Sequence, residues 1–262
     1  MVVIKKDITY DTTHNLKTDI YFPNNTTTAT KILIFWHGGG WFRGDKQDAK
    51  WLGVKLANAG FMTLIPNYRL APNNKFPAAH KDSKTFTEWL LKSQYTDAND
   101  KSNIVQIGAS AGGTLALYLA GQYGFPTVTW SAPIDFSNWI KQHQNVKPSL
   151  DAKKEYNLTD KQEIQASFYK YFTLTYANES MLDQLDAMNY DYTHLTHLFM
   201  INSAHELTPL ESIFKLIKNL AEANHTVQLL VIKGTGHAMD YAHDYPDESL
   251  DYLYQTIKGH KE

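Results

Sequence analysis

A serine flanked by small residues is the first candidate for chemistry. Ser110 lies within Gly-Ala-Ser-Ala-Gly at residues 108–112, after an apolar run and before a helical pattern. This is the G-x-S-x-G spacing of a nucleophile elbow, in which a strand turns sharply into a helix. The flanking glycines let the strand and the helix approach each other, so that the hydroxyl projects from the turn. The pattern predicts a nucleophilic Ser110, and the alternative interpretation is a tight turn without chemistry.

Three consecutive glycines form a second candidate. His-Gly-Gly-Gly-Trp occupies residues 37–41, directly after an apolar run at residues 32–36. Successive glycines cost conformational entropy, so a structural or chemical need must favour them at this point. The backbone N–H groups of such a loop can turn inward and hold a carbonyl oxygen as it becomes negative. The alternative is a flexible turn, which would not require His37 and Trp41 at its ends.

A serine hydroxyl needs a base in contact with it in order to attack at neutral pH. Eleven histidines compete for this role. His237 follows the late apolar run at residues 227–232 and should lie beyond the carboxyl end of a strand, on the same sheet edge as Ser110. His243 is a weaker competitor, and we expect His37 to shape the glycine loop through hydrogen bonds. The predicted base is therefore His237.

These segments together resemble a known family. The motifs at residues 37–41 and 108–113, with Asn-Tyr-Arg-Leu-Ala-Pro at residues 67–72 and Phe-Pro-Ala-Ala at residues 76–79, are similar to those of the hormone-sensitive-lipase-like and acetyl-esterase branch of the α/β-hydrolases. The resemblance implies a serine esterase of the α/β-hydrolase fold. It also implies that three backbone N–H groups bind the oxyanion, those of Gly39, Gly40 and Ala111.

The acid that would orient the histidine departs from the family pattern. Family members usually carry an aspartate four residues before a proline, and the corresponding position before Pro209 is His205. The adjacent Glu206 is the nearest carboxylate, and glutamate is the acid in some α/β-hydrolases. Asp135, which follows an earlier strand, is an alternative acid. A third alternative is that no acid is present and that a backbone carbonyl or water orients His237.

Strands and helices alternate along the chain and would position these residues. Residues 4–10 and 16–22 predict an opening antiparallel pair, and the second run alternates apolar and polar side chains like a half-buried strand. A polar loop at residues 24–30 follows. Continuous apolar runs then predict strands buried on both faces of a mostly parallel sheet, at residues 32–36, 61–66, 104–108, 128–130, 198–202 and 227–232. Helical patterns between them predict an α/β fold with helices on both faces, at residues 48–59, 111–121 and 210–224.

One segment interrupts this alternation. Between about residues 134 and 192 there is no run typical of a buried strand, and aromatic side chains cluster at residues 168–176. Disordered segments rarely contain so many aromatic residues. We therefore interpret the segment as a small, partly helical cap, inserted into a single domain that spans residues 1–262.

The composition limits the classes of partner and cofactor. The net charge of −2 and the isoelectric point near 6.6 give no long-range attraction to nucleic acid. The chain has no cysteine, which excludes disulfides, a thiolate nucleophile and cysteine-bound zinc. The sequence has no His-Glu-x-x-His helix and no phosphate-binding glycine loop, so we expect neither a metal nor an organic cofactor. Without a signal peptide or a run of about 20 apolar residues, a cytoplasmic protein without a membrane span is expected.

The expected function is hydrolysis of a small-molecule ester. A modest, aromatic-rich cap favours short acyl or aryl esters over long lipid chains, with a serine carboxylesterase as the leading hypothesis. An arylformamidase and a carbohydrate deacetylase of the same fold are alternatives. An alternative of another class is a non-catalytic ligand-binding homologue, because a fold does not fix a function. The sequence leaves open whether the chain forms a homodimer.

Overall fold

The computed structural model describes residues 2–23, 31–96 and 102–259. The predicted polar loop at residues 24–30 lies outside the described residues. Within them, eight strands form one sheet: β1 (Val3–Asp11), β2 (Leu16–Phe22), β3 (Ile32–Trp36), β4 (Met62–Pro66), β5 (Ile104–Ala109), β6 (Thr127–Trp130), β7 (His197–Ser203) and β8 (Thr226–Ile232). Each predicted strand is present to within two residues at either end.

The described part of the chain also contains ten α-helices. They are α1 (Lys50–Asn58), α2 (Ala78–Lys92), α3 (Ala111–Tyr123), α4 (Ser137–Gln142), α5 (Ala152–Tyr156), α6 (Lys161–Tyr176), α7 (Leu182–Leu185), α8 (Leu210–Glu222), α9 (Asp240–Asp244) and α10 (Pro246–Gly259). A short 3-10 helix, Lys46–Ala49, precedes α1.

The strand order is β1-β2-β4-β3-β5-β6-β7-β8. β1 and β2 form the predicted antiparallel pair, and β2 also runs antiparallel to β4. All the other neighbouring strands are parallel. The carboxyl ends of β3, β5, β7 and β8 therefore meet at one edge of the sheet, where ligands bind in open α/β folds. This mostly parallel arrangement confirms the predicted α/β-hydrolase fold.

Helices cover both faces of the sheet. Alternate side chains of β3 point to opposite faces, with Ile34 in one hydrophobic cluster and Leu33 in another. The cluster around Ile34 contains residues of α2 and α3, whereas the cluster around Leu33 contains residues of α1 and α10. A third cluster joins α3 and α8 to β7. Burial on both faces explains why the central strands are continuously apolar.

Two predictions about strand burial were wrong. β2 is not half-buried: all its side chains are buried except Lys17, because Asp19 meets the buried Lys46 and Tyr21 packs against α1. β8 is not buried on both faces, because it is the last strand of the sheet and its side chains are partly exposed, with Val231 at 40%. An apolar run indicates a strand but does not reveal whether a second neighbour covers it.

Between β6 and β7 the chain forms helices α4 to α7 and no strand, all within the described residues. We call residues 134–192 the helical insertion. Its aromatic side chains are largely buried, including Tyr169, Phe172 and Tyr176 of α6. In the part of the chain that the structure describes, no helix combines the length and apolar character that a membrane crossing requires.

Candidate active site

Ser110 lies at a sharp turn between β5 and α3. Its backbone angles, φ 50° and ψ −121°, are outside the regions that residues other than glycine normally occupy. The turn is held by hydrogen bonds from the Ser110 N–H to the Trp130 carbonyl, at 2.7 Å, and from the Gly113 N–H to the Ser110 carbonyl, also at 2.7 Å. A strained conformation that the surrounding structure enforces is typical of functional sites.

The elbow glycines are required by close packing. A Cβ atom on Gly108 would lie 2.3 Å from the carbonyl oxygen of Gly112. A Cβ on Gly112 would lie 2.1 Å from the carbonyl oxygen of Trp36, in β3. The small residues of the motif therefore let β5, α3 and β3 meet directly beneath Ser110, as the sequence pattern predicts.

His237 contacts Ser110 from the loop that follows β8. Its Nε2 atom is 3.1 Å from the Ser110 Oγ, and its Nδ1 atom is 2.6 Å from Oε2 of Glu206. An ionised carboxylate can only accept a hydrogen bond, so Nδ1 carries the proton and Nε2 is free to accept one from the serine. The His237 side chain is 28% exposed and borders a cavity, whereas the Glu206 side chain is fully buried.

Glu206 reaches His237 from the loop after β7. Its second oxygen, Oε1, accepts hydrogen bonds from the Ser203 N–H at 2.9 Å and from the Asn202 side chain at 3.1 Å. The loop is tied to the end of β8 and the residues after it by two backbone hydrogen bonds, from the N–H groups of residues 204 and 205. The structure thus brings together Ser110, His237 and Glu206.

The other candidates have different surroundings. The Asp135 carboxylate accepts hydrogen bonds from the backbone and side chain of Asn138, at the start of α4. His205, at the position of the usual family aspartate, lines a neighbouring cavity beside Trp139. The ring of His243 stacks on Trp51, with a centroid distance of 4.3 Å. Among these alternatives and Glu206, the structure brings Glu206 against His237.

Tyr241 is a site residue that the sequence interpretation missed. Its hydroxyl is 3.1 Å from Oε1 of Glu206 and 2.8 Å from the Gly236 carbonyl, and it also contacts Ser203. Burial, and then the charge of Glu206, raise the pKa of Tyr241 to about 12, so the phenol stays protonated and can donate. The sequence alone does not indicate this role, because Glu206 and Ser203, which the Tyr241 hydroxyl contacts, are distant in the chain.

The glycine loop lies beside Ser110. Gly39 has φ 113° and Gly40 has φ 60°, both in the left-handed region, and a Cβ on Gly39 would lie 2.1 Å from the Arg43 carbonyl oxygen. Tyr68 braces the loop, since its hydroxyl donates to the His37 carbonyl at 2.8 Å and its ring stacks on the His37 ring. Ala111, the third predicted donor, is the first residue of α3, where helix N–H groups have no partner within the helix.

A cavity of about 400 Å³ opens at this point. Ser110, His237 and the glycine loop line one part of it, and Phe168 and Phe172 of the helical insertion line another. The insertion packs directly on the loop, because a Cβ on Gly40 would lie 2.9 Å from the Cβ of Phe172. The cavity can hold a small organic molecule with an apolar part and a carbonyl group above Ser110.

One group of side chains in the described residues could be considered for a metal ion. Ligand atoms of Asp11, His14 and Asp82 lie within 4.8 Å of one another. However, both oxygens of Asp82 accept hydrogen bonds from Arg69, and the guanidinium charge opposes a second cation. The arrangement is that of a buried ion pair that joins α2 to the segment after β4.

The chain is similar to several known proteins. A family model described as BD-FAE matches residues 18–125. The chain is 25% identical to an ethyl acetate hydrolase from Pseudomonas putida over 261 residues, which cover 94% of this chain and 79% of the relative. It is 30% identical to probable carboxylesterase 6 from Arabidopsis thaliana over 134 residues, 46% of this chain and 39% of that relative.

A solved structure is similar over nearly the whole chain. It is an esterase from the bacterial hormone-sensitive lipase family, with 19% sequence identity and a TM-score of 0.67. The alignment covers 98% of this chain and 83% of the solved one. At this level of identity the similarity establishes a common fold.

Proposed function

We propose that this chain, a hydrolase of ester bonds with the α/β-hydrolase fold, is a serine carboxylesterase of the hormone-sensitive-lipase-like branch that forms an acyl-enzyme on Ser110. The observation that carries the proposal is the unbroken chain of contacts from Glu206 through His237 to Ser110, with distances of 2.6 and 3.1 Å. These three roles do not require a metal or an organic cofactor.

In the first half of the reaction, the Ser110 oxygen attacks the ester carbonyl carbon while His237 Nε2 takes the hydroxyl proton. The carbonyl oxygen becomes negative and accepts hydrogen bonds from the N–H groups of Gly39, Gly40 and Ala111. His237 then gives its proton to the departing alkoxide, so that an alcohol leaves and the acyl group remains on Ser110. The charge of Glu206 stabilises the imidazolium in the interval.

In the second half, water takes the place of the serine. His237 removes a proton from the water as its oxygen attacks the acyl carbon, and the same N–H groups hold the second oxyanion. The proton returns to the Ser110 oxygen as the carbon–oxygen bond breaks, releasing the carboxylic acid and the free enzyme. Each proton taken by His237 is given back within the same half-reaction.

The dimensions of the cavity support short acyl chains. Its volume of about 400 Å³ is near the lower end of the range for small-molecule sites. Phe168, Phe172 and Leu207 provide apolar lining for this cavity. The Pseudomonas putida relative, named an ethyl acetate hydrolase, is consistent with a small ester.

The test is hydrolysis of p-nitrophenyl esters from acetyl to octanoyl by the wild type and by Ser110→Ala. We expect rates that are highest at short acyl chains and a loss of at least about 1,000-fold in the variant, which lacks the nucleophile. Covalent labelling by a fluorophosphonate, present in the wild type and absent from the variant, would distinguish the enzyme from a non-catalytic binding protein. Equal rates and no labelling in either protein would refute the proposal.

A further inference from the structure

Arg43 is a charged residue of the cavity that the reaction above does not use. It follows the glycine loop, is solvent-exposed, and lines the cavity together with Ser110 and His237. Its guanidinium lies 5.2 Å from the ring centroid of Phe42 and 5.5 Å from that of Phe168. Two aromatic rings, one from the loop and one from α6, therefore flank the cation where it lines the cavity.

The guanidinium forms no ion pair with a carboxylate among residues 2–23, 31–96 and 102–259. Arg69 provides the contrast, since its guanidinium donates three hydrogen bonds to Asp82. Stacking on rings occupies the faces of a guanidinium and leaves its N–H edges free to donate. Arg43 thus presents oriented donors and a positive charge with no acceptor among the residues that the structure describes.

Two acidic residues also line this cavity, and both carboxylates accept hydrogen bonds at the start of the short 3-10 helix. The Asp45 carboxylate accepts hydrogen bonds from the Gln47 N–H at 2.8 Å and from the Asn67 side chain at 2.6 Å. The Asp48 carboxylate accepts one from the Asp45 N–H at 3.0 Å. Together they cap the short 3-10 helix, so their hydrogen-bonding capacity serves the fold.

The position of Arg43 relative to the reacting groups is fixed through its backbone. Its N–H donates to the Gly39 carbonyl at 3.1 Å, and its own carbonyl packs against the Cα of Gly39. The residue therefore closes the turn that contains the proposed oxyanion donors. A group held by Arg43 would therefore lie near the proposed oxyanion donors.

We propose that Arg43 is a specificity-determining residue that binds a carboxylate carried by the substrate at a distance from the scissile bond. The preferred substrates are then small esters with one free carboxylate, such as monoesters of short dicarboxylic acids. A carboxylate matches the planar edge of a guanidinium with two parallel hydrogen bonds, which neutral esters cannot form. This inference rests on the proposed esterase function and extends it to a substrate class.

The experiment compares acidic with neutral esters of similar length. Monoethyl glutarate is paired with ethyl pentanoate, and the acetate ester of γ-hydroxybutyrate is paired with butyl acetate, so the carboxylate is tested on the acyl and on the alcohol side. For each pair, the ratio of kcat/KM for the acidic to the neutral ester is measured in the wild type, Arg43→Met and Arg43→Lys. Lys153→Met, which removes an exposed cation from α5, is the matched control.

We expect the ratio for at least one pair to fall by about tenfold or more in Arg43→Met, mainly through KM, because a charge-assisted hydrogen bond is lost. Arg43→Lys should retain part of the ratio, and Lys153→Met all of it. Added salt should lower the wild-type ratio and leave that of Arg43→Met nearly unchanged, since exposed charges are screened. A purely structural role for Arg43 would not produce this salt dependence.

Glutarate provides a second measurement that needs no turnover of an acidic ester. It should inhibit hydrolysis of p-nitrophenyl acetate by the wild type more strongly than pentanoate does, and Arg43→Met should remove the difference. Equal ratios and equal inhibition in the wild type and Arg43→Met would overturn the inference while leaving the esterase proposal intact. Failure of the wild type to hydrolyse any ester would refute both.

Discussion

The contacts of Glu206 explain how a glutamate can orient His237, although the family resemblance predicts an aspartate at the adjacent position 205. One oxygen meets His237, and the other accepts hydrogen bonds from the backbone of Ser203 and the side chain of Asn202. Its side chain is completely buried. A buried carboxylate with several donors is held in one orientation, so the longer side chain does not loosen the contact with the histidine.

At this scale we predict that Glu206→Gln lowers kcat by about 1,000-fold or more, because an amide cannot stabilise the imidazolium and favours the wrong histidine tautomer. Asp135→Asn is the matched control, since it makes the same chemical change at the other candidate acid, and its kcat should stay within about twofold of the wild type. The measurement is kcat for p-nitrophenyl acetate. A larger loss in Asp135→Asn than in Glu206→Gln would reverse the assignment.

The sequence motifs indicate Ser110 and His237 because each needs a particular backbone setting, a glycine elbow or a loop just after a strand. For the acid that orients His237, the sequence alone leaves Glu206 as the first of three alternatives. The direction of a loop side chain depends on the backbone of that loop, here on two hydrogen bonds to the residues at and after the end of β8. Tyr241 and Arg43 could not be inferred, because their importance comes from neighbours that are distant in the sequence.

At the scale of elements, His80 links α2 to the helical insertion. Its Nδ1 is 3.0 Å from the Tyr176 hydroxyl, and its Nε2 is 2.9 Å from the Tyr190 hydroxyl, which donates to the Leu185 carbonyl. Tyr190 therefore accepts from Nε2–H, and Nδ1 accepts from Tyr176, an arrangement that suits a neutral ring. Burial lowers the pKa of His80 to about 3.

This pKa predicts a dependence of stability on pH. Between pH 6.5, the ordinary pKa of histidine, and about pH 3, the unfolded chain binds a proton at His80 that the folded protein does not. The contribution of His80 to stability is therefore complete above pH 6.5 and declines as the pH falls. The amide of His80→Gln can bond to both tyrosines but does not titrate. Between about pH 7 and about pH 5, the free energy of unfolding of this variant should therefore fall by about 2 kcal/mol less than that of the wild type.

Urea unfolding at several pH values measures this difference. The variant of an exposed histidine, His194→Gln, is the matched control and should follow the wild-type profile. If His80→Gln and the wild type lose the same free energy of unfolding on acidification, His80 does not carry the predicted proton linkage.

At the scale of the whole molecule, an ion-pair network joins the opening hairpin to the loop of the site. Lys46, next to the glycine loop, places its Nζ 2.9 Å from carboxylate oxygens of both Asp19 and Asp7. The side chains of Lys46 and Asp19 are only 3% and 2% exposed, whereas that of Asp7 is 56% exposed. Although burial lowers the pKa of Lys46, its hydrogen bonds to the two carboxylates outweigh this and raise it.

We predict that Lys46→Met lowers the free energy of unfolding by about 3 kcal/mol or more, because it leaves Asp19 buried without its cation. Asp7→Asn should cause a much smaller loss, since that carboxylate is in contact with solvent. Equilibrium urea unfolding of the two variants and the wild type would measure both effects. Equal losses in the two variants would contradict the importance of the buried pair.

Much of the fold could be predicted from the sequence because the strands are short apolar runs with clear boundaries. The two errors in burial, at β2 and β8, share one cause. Strand burial depends on what packs on the strand in three dimensions: Lys46 and α1 cover β2, whereas β8 is the last strand of the sheet. The ion pair between Lys46 and Asp19 likewise turns a polar side chain inward, against the alternation that the sequence of β2 suggests.

The packing of the helical insertion on the glycine loop constrains how this protein could be recombined with others. Phe172 covers Gly40, Tyr171 and Phe168 pack against Phe42, and Tyr176 stacks on Trp41. A chimera that imported the insertion of another esterase would place foreign side chains on a loop shaped for these rings. The two segments, more than 100 residues apart in the chain, therefore pack as one unit. A chimera that imports α6 also has to import residues 37–44.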